Sequence, residues 1–446
     1  MSSYLQEARR TLVLATPIIV GQLSQMLMSV TDSVMIGRVS KEALAASAFA
    51  GSIWGVFFIV GVGLMIPVTI MASQARGAND SVEVSRWVQH GLLLGTVAGT
   101  LGAVLMILVG TQLHRFGQPP EVLVLVNPYY QLIAISLVPT LWFQVKKQYA
   151  ESHDHAVAPM VMMVLGILLN VFLNWVFIYG NLGVPALGLT GAGVATLISR
   201  SIGVLVLWWW IVNLAPGLRA GWPAHWFSGY EWKRFGRLLK VGVPIAFSLV
   251  FEAAAFGAAA IMMGWLGATA LASHQIAISC AAFTFMIPLG MSMAVSMRVG
   301  RAVGEGRQDA LRPIGLGAQA MSAIVMGLFA VLFAFEGQWL ASGFVSEREV
   351  IALAGKLLVV AAVFQLADGA QVVAASALRG LTDVKVPTAI TAVAYWGLAL
   401  PIAYGLGVKS GWGPTGIWTG LAVGLIFAAV ALNARFLRMT RTGDTP

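Results

Sequence analysis

Charge is what this sequence has least of: only 10% of its 446 residues are Asp, Glu, Lys or Arg, against 58% hydrophobic, with a mean hydropathy of +0.83. A soluble domain carries about 25% charged residues, so this chain cannot coat a water-exposed globule. It also lacks cysteine pairs, because Cys280 is alone. That excludes an internal disulfide framework and a Cys-based metal site. No long polar linker divides it, although its length would make roughly three soluble domains. Nor does it hold His-Glu-x-x-His, a Gly-Lys-Ser/Thr phosphate loop or a nucleotide-binding domain, so ATP is not the evident energy source. The net charge of +9 forms no single patch of the kind nucleic acid would need.

What the chain has is long apolar runs and 49 glycines, which membrane helices use for close packing. Windows of about 20 apolar residues predict spans near 12–36, 44–72, 87–113, 126–148, 158–180 and 188–213, then 238–264, 270–298, 314–336, 351–378, 385–408 and 413–437. The predicted fold class is all-α integral membrane, with twelve transmembrane helices. Arg9 and Arg10 precede the first run, which has no small-residue cleavage site and is expected to be kept as a span.

Basic residues fall in alternate loops. Arg9/Arg10, Arg76/Arg86, Lys146/Lys147, the central cluster from Arg219 to Lys240, Arg298 to Arg312, Arg379/Lys385 and Arg435 to Arg441 lie on one side. Arg38, Lys41, Arg115, Arg348 and Lys409 lie on the other, about 20 against about 5, which predicts cytoplasmic termini. The Trp208-Trp209-Trp210 run reads as an interfacial aromatic belt.

Adding 227 to positions in the first two spans reaches similar residues in the seventh and eighth. Pro17-Ile18 matches Pro244-Ile245, Gly37 matches Gly264, Gly63 matches Gly290 and Gly77 matches Gly304. Two six-helix lobes are therefore expected, spanning 1–213 and 238–446, with a cytoplasmic linker at 214–237. An even helix count per half makes them parallel repeats, an architecture that places substrate between halves and works by rocking.

Three acids fall well inside predicted spans: Asp32, Glu252 and Asp368. An ionised carboxylate in hydrocarbon costs roughly 2.5–3.5 kcal/mol on insertion scales, so each must face a cavity, pair with a cation or hold a proton. Asn170 and Asn174, four residues apart on the fifth span, share a helix face. They could hydrogen-bond a carboxylate such as Asp32, or serve as interhelical packing glue. Arg200 either pairs with an acid or marks a span boundary; Lys356 is expected to snorkel. Candidate substrate contacts are Gln275, beside His274, and Phe364, Gln365 and Gln371 around Asp368. His274 itself reads as a packing residue.

Taken with Val30-Thr31-Asp32-Ser33-Val34-Met35-Ile36-Gly37, Pro244 with Glu252, Ala272 to Gln275, and the tenth-span run from Phe364 through Asp368 to Gly380, the chain resembles the multidrug and toxic compound extrusion family. It is similar to the NorM-like bacterial branch over nearly its whole length. The resemblance implies a V-shaped pair of lobes and antiport of amphipathic organic cations against Na⁺ or H⁺ in a bacterial inner membrane. It implies no enzyme activity, no cofactor beyond the coupling ion, small cationic substrates and lipids as partners, and a monomer. It assigns cation binding to Glu252 and Asp368, the pair that would hold Na⁺, and a protonatable cluster to Asp32, Asn170 and Asn174. One departure is Phe364, where some members have Tyr one turn before the acid. Alternatives are a lipid or lipid-linked saccharide flippase of the same architecture, and an intramembrane protease. The acids lack the Gly-x-Gly-Asp context of the latter.

Overall fold

The computed structural model describes residues 2–441 except 118, 220, 224, 225 and 227. Among these residues, twelve helices are long and apolar enough to cross a membrane. They are α1 (Tyr4–Gly37), α2 (Lys41–Gly77), α3 (Ser81–Gly110), α4 (Pro120–Ser152), α5 (Val157–Tyr179), α6 (Gly188–Asn213), α7 (Trp232–Trp265), α8 (Ala268–Gly304), α9 (Gln308–Ser342), α10 (Arg348–Gly380), α11 (Lys385–Lys409) and α12 (Gly413–Met439). Several exceed 30 residues, longer than the ~20 that cross hydrocarbon, so hydrophobic windows alone underestimated their ends.

Local signals set those ends. Ser40 Oγ accepts the Ala43 amide at 3.0 Å and opens α2, and Asp80 accepts the Glu83 amide at 2.8 Å and opens α3. Gly180, at φ 77°, closes α5 in the left-handed region where a side chain would be strained. α4 breaks at Ser136. α11 is irregular, with π-helical stretches at Val393–Ala399 and Gly405–Lys409. The hydrophilic stretch 214–237 holds a single helical turn, Pro216–Arg219, and α7 has begun by Trp232. That turn is the one helical piece before α7 among the described residues of the stretch.

The chain forms two compact units, one of residues 20–246 and one of 1–19 with 247–446. Neither boundary lies in the linker. Both fall inside a helix, in α1 two residues beyond Pro17 and in α7 two residues beyond Pro244. In the 20–246 unit the core gathers Ile36, Met106, Tyr130 and Ala192. The other unit is built around Phe364, Tyr395, Trp418 and Leu425, with a second cluster of Val299, Leu378 and Phe436.

Two glycines at the repeat offset explain the close helix crossings. A Cβ on Gly63 of α2 would come within 2.5 Å of the Ala246 Cα on α7. A Cβ on Gly290 of α8 would come within 2.9 Å of the Ile19 backbone on α1. The 227-residue offset carries Gly63 to Gly290 and Ile19 to Ala246, so the two crossings are equivalent under the repeat. Only glycine lets backbones approach so closely, as in small-residue membrane crossings.

Candidate functional site

In the 20–246 unit, α1 and α5 bring Asp32, Asn170 and Asn174 together. Asn174 Nδ2 donates to Asp32 Oδ1 at 2.6 Å and to Asn170 Oδ1 at 3.1 Å. Both amides are fully buried, and Asn170 Nδ2 and Asn174 Oδ1 have no hydrogen-bond partner. Four-residue spacing on one helix is what lets the two side chains meet.

Arg200, which the sequence left open, lies inside α6 and belongs to this cluster. Its Nη1 donates to Ser136 Oγ at 2.7 Å, at the break in α4, and its guanidinium stands 4.3 Å from the Trp54 ring centroid. Its charge acts on both Asp32 and Tyr129. An intramembrane arginine here is held by a hydroxyl, an aromatic face and nearby negative charge. Tyr129, Trp54 and Ser136 gave no sequence signal beyond ordinary apolar or small-residue usage.

In the other unit, α7 supplies Glu252 and α10 supplies Asp368. Their charges interact, and Arg379, at the end of α10, acts on Glu252. Asp368 is 6% exposed, and its Oδ1 has no hydrogen-bond partner. Gln371, one turn on, donates through Nε2 to Tyr395 Oη at 3.2 Å, and Tyr395 lies within electrostatic reach of both Glu252 and Asp368. Tyr395 comes from the first π-helical stretch of α11 and was not singled out in the sequence.

The other candidates are scattered. Phe364 is buried edge-to-face against Phe256 and Trp418. Gln365 is buried too, accepting from Thr284 Oγ1 at 3.1 Å and donating to the Met326 carbonyl at 3.3 Å. Both fill the interior of their unit. Gln275 lies on an exposed face of α8. His274 accepts from Trp418 Nε1 at 3.2 Å and packs on its ring, the role of a packing histidine.

Among the described residues, no three or more His, Cys, Asp or Glu gather as a metal site.

The MatE family model matches residues 17–176 and 244–405. It matches once per repeat, and the starts differ by the 227-residue offset seen between Pro17 and Pro244. The chain belongs to the MatE family. MatE proteins are membrane transporters and not enzymes. The chain is similar to the probable multidrug resistance protein NorM of Mesorhizobium japonicum, 35% identical over 98% of this chain and 95% of that protein. It is equally similar to the multidrug resistance protein PmpM of Pseudomonas aeruginosa, 35% identical over 98% of this chain and 92% of that one. Its fold matches the MATE transporter VcmN of Vibrio cholerae, with TM-score 0.90, 22% identity and coverage of 100% and 99% of the two chains.

Proposed function

We propose that this MatE protein exports amphipathic organic cations from the bacterial cytoplasm across the inner membrane, driven by entry of Na⁺ or H⁺. It works as a monomer with both termini cytoplasmic, and no cofactor other than the coupling ion takes part. Asp368 carries the reading: a carboxylate 6% exposed, beside Glu252, with one oxygen unpartnered. A buried charge left in that state is stable only when a cation or proton completes it. The NorM and PmpM relatives are named for multidrug resistance, which supports a broad small-molecule cargo.

Exchange follows from competition. Substrate loads when Asp368 and Glu252 are free of the coupling ion. The external ion then claims the carboxylates, and the organic cation leaves. Coupling requires each ligand to favour a different state of the transporter. Asp32 with Asn170 and Asn174 forms a second acid cluster that protonation would uncouple from Arg200.

One observation favours a second reading. Each acid cluster has an arginine in electrostatic reach, Arg200 or Arg379, and arginine suits the phosphate of a lipid or lipid-linked saccharide. Reconstituted vesicles separate the two. Imposing a Na⁺ gradient and a pH gradient separately, one follows efflux of a fluorescent organic cation. Efflux driven by either gradient and lost in Asp368→Asn supports export. Gradient-independent movement of a labelled phospholipid, without dye efflux, replaces that reading by the flippase.

A further inference from the structure

α7 is longer than a bilayer core requires. Its 34 residues rise about 51 Å, against the ~30 Å of hydrocarbon. The excess falls at its start, where Lys233, Arg234, Arg237 and Lys240 crowd together before the apolar run begins. Those opening turns therefore lie at headgroup depth.

The acids beside these turns are already engaged. Glu231 pairs with Arg86 at 2.8 Å and with Arg234 at 3.2 Å, and Glu83 pairs with Arg234 at 2.5 Å. His90 Nε2 accepts the Glu231 amide at 2.9 Å, which fixes the start of α7 against α3. Lys233, Arg237 and Lys240 have no ion-pair partner among the described residues.

These three cations share one face. Positions 233, 237 and 240 fall within about 60° of the helix circumference, and all three are exposed. Arg237 is also oriented, with its guanidinium 5.9 Å from the centroid of the buried Trp87 ring. A second stripe runs alongside: Trp232 is 87% exposed, Leu239 39% and Val243 38%. Helical spacing sets the two stripes about 90° apart, so one elongated molecule can touch both.

A basic stripe beside an apolar one, where hydrocarbon meets headgroups, fits an anionic phospholipid in both its parts. The phosphodiester suits two ammonium groups and an arginine fork, and an acyl chain covers the apolar stripe, with Trp232 at interfacial depth. A soluble anion would occupy the first stripe and leave the second bare. A zwitterionic phospholipid would bring a cation of its own to a place that already holds three.

We propose that the opening turns of α7 hold an anionic phospholipid, its phosphate on Lys233, Arg237 and Lys240 and its acyl chain along Trp232, Leu239 and Val243. None of these residues belongs to either acid cluster, so the site stands apart from cation exchange. Because Glu231 and Arg234 tie the same turns to α3, the bound lipid also braces that clasp.

Native mass spectrometry of the purified full-length protein tests this, in titrations with phosphatidylglycerol or with phosphatidylcholine of the same chains. Thermal melting in lipid-free detergent is the control for folding. The wild type should bind phosphatidylglycerol about ten-fold more tightly, since each cation near an anionic headgroup contributes a few-fold. Lys233→Gln/Arg237→Gln/Lys240→Gln should lose that preference. Lys233→Gln/Lys240→Gln, which leaves Arg237 on Trp87, should lose part of it, with lipid-free melting unchanged. Trp232→Ala should weaken both lipids alike. Arg9→Gln/Arg438→Gln/Arg441→Gln removes as many exposed charges elsewhere and should keep the preference. A preference that survives the α7 triple variant, or that falls equally in the control, overturns the site. Inorganic phosphate that displaces phosphatidylglycerol at equal concentration would replace the lipid by a free anion.

Discussion

Arg200 donates to Ser136 across the gap between α6 and the break in α4, at 2.7 Å. The bond joins a half-buried cation to the point where a helix loses its regular ladder, so the arginine both balances Asp32 electrostatically and seals an interrupted span.

Replacing Arg200 by Ala should therefore cost more than a surface arginine would. Breaking a buried charge arrangement from one side costs about 3–5 kcal/mol, and a desolvated cation–π contact such as that with Trp54 about 2 kcal/mol. A drop in apparent melting temperature of several degrees is expected in detergent. Arg200→Lys should recover only part of it, because an ammonium cannot serve hydroxyl and ring face together. Full stability in Arg200→Ala would show that Ser136 and Asp32 do not depend on it.

Beyond the end of α4, His153 predicts an acid sensitivity. Burial, opposed by its bond to the Tyr149 carbonyl and aided by the nearby Arg76 charge, pushes the imidazole down to about 4. The folded protein thus resists protonating His153 where an unfolded chain, with the ordinary value of 6.5, accepts a proton. Its contribution is fully present above pH 6.5 and is lost as pH falls toward about 4. The loss amounts to at most about 3 kcal/mol, from 1.36 kcal/mol per unit. Melting temperature measured across that window should fall more steeply in the wild type than in His153→Gln. Parallel curves would remove His153 from the acid response.

Glu7 is a hub for charges in the first turns of α1. It is 5% exposed and pairs with Arg298 of α8, with Arg10 at 3.2 Å and with Arg307 at 3.6 Å. Glu7→Ala should destabilise by up to about 3 kcal/mol, since it removes the carboxylate facing the largely buried Arg298 guanidinium, which keeps its bonds to Thr11 Oγ1 and the Glu7 carbonyl. The double variant Glu7→Leu/Arg298→Met should regain much of that. A double-mutant cycle on melting temperature with no coupling between the two positions would count against the hub.

The matched glycines give a paired prediction. Gly63→Ala and Gly290→Ala should each impair yield of folded protein, with overpacking costs of about 1–3 kcal/mol. Each would drive a methyl into a neighbouring backbone, Ala246 or Ile19. Gly166, with nothing within 4 Å of the added carbon, is the control, and its alanine variant should purify as the wild type does. Normal yields for all three would mean that the crossings tolerate repacking.

Much of this was legible in the chain. Twelve spans follow from apolar windows, and the repeat follows from Pro17 and Pro244, because long-wavelength patterns survive without tertiary detail. Asp32 with Asn174 was foreseeable from helical spacing and the cost of a charge in hydrocarbon. Tyr395 was not. It sits in a π-helical turn of α11, and helical periodicity assumes the regular 3.6-residue turn. Arg200 stayed ambiguous for a related reason: Pro139 announces the break near Ser136, but no periodicity ties an arginine on another span to that break. Phe364 and Gln365 read as candidate contacts by proximity to Asp368, yet successive helical positions point in different directions, and these two point into packed interior.

The division of the chain also sets an order on assembly. Residues 2–19 are translated before every other segment of the unit they join, which otherwise consists of residues 247–446. That stretch of α1 waits through the synthesis of six further spans before its packing partners exist. Severing the chain near Pro216 should thus yield two fragments that are each incomplete, yet able to restore one another when produced in the same cell.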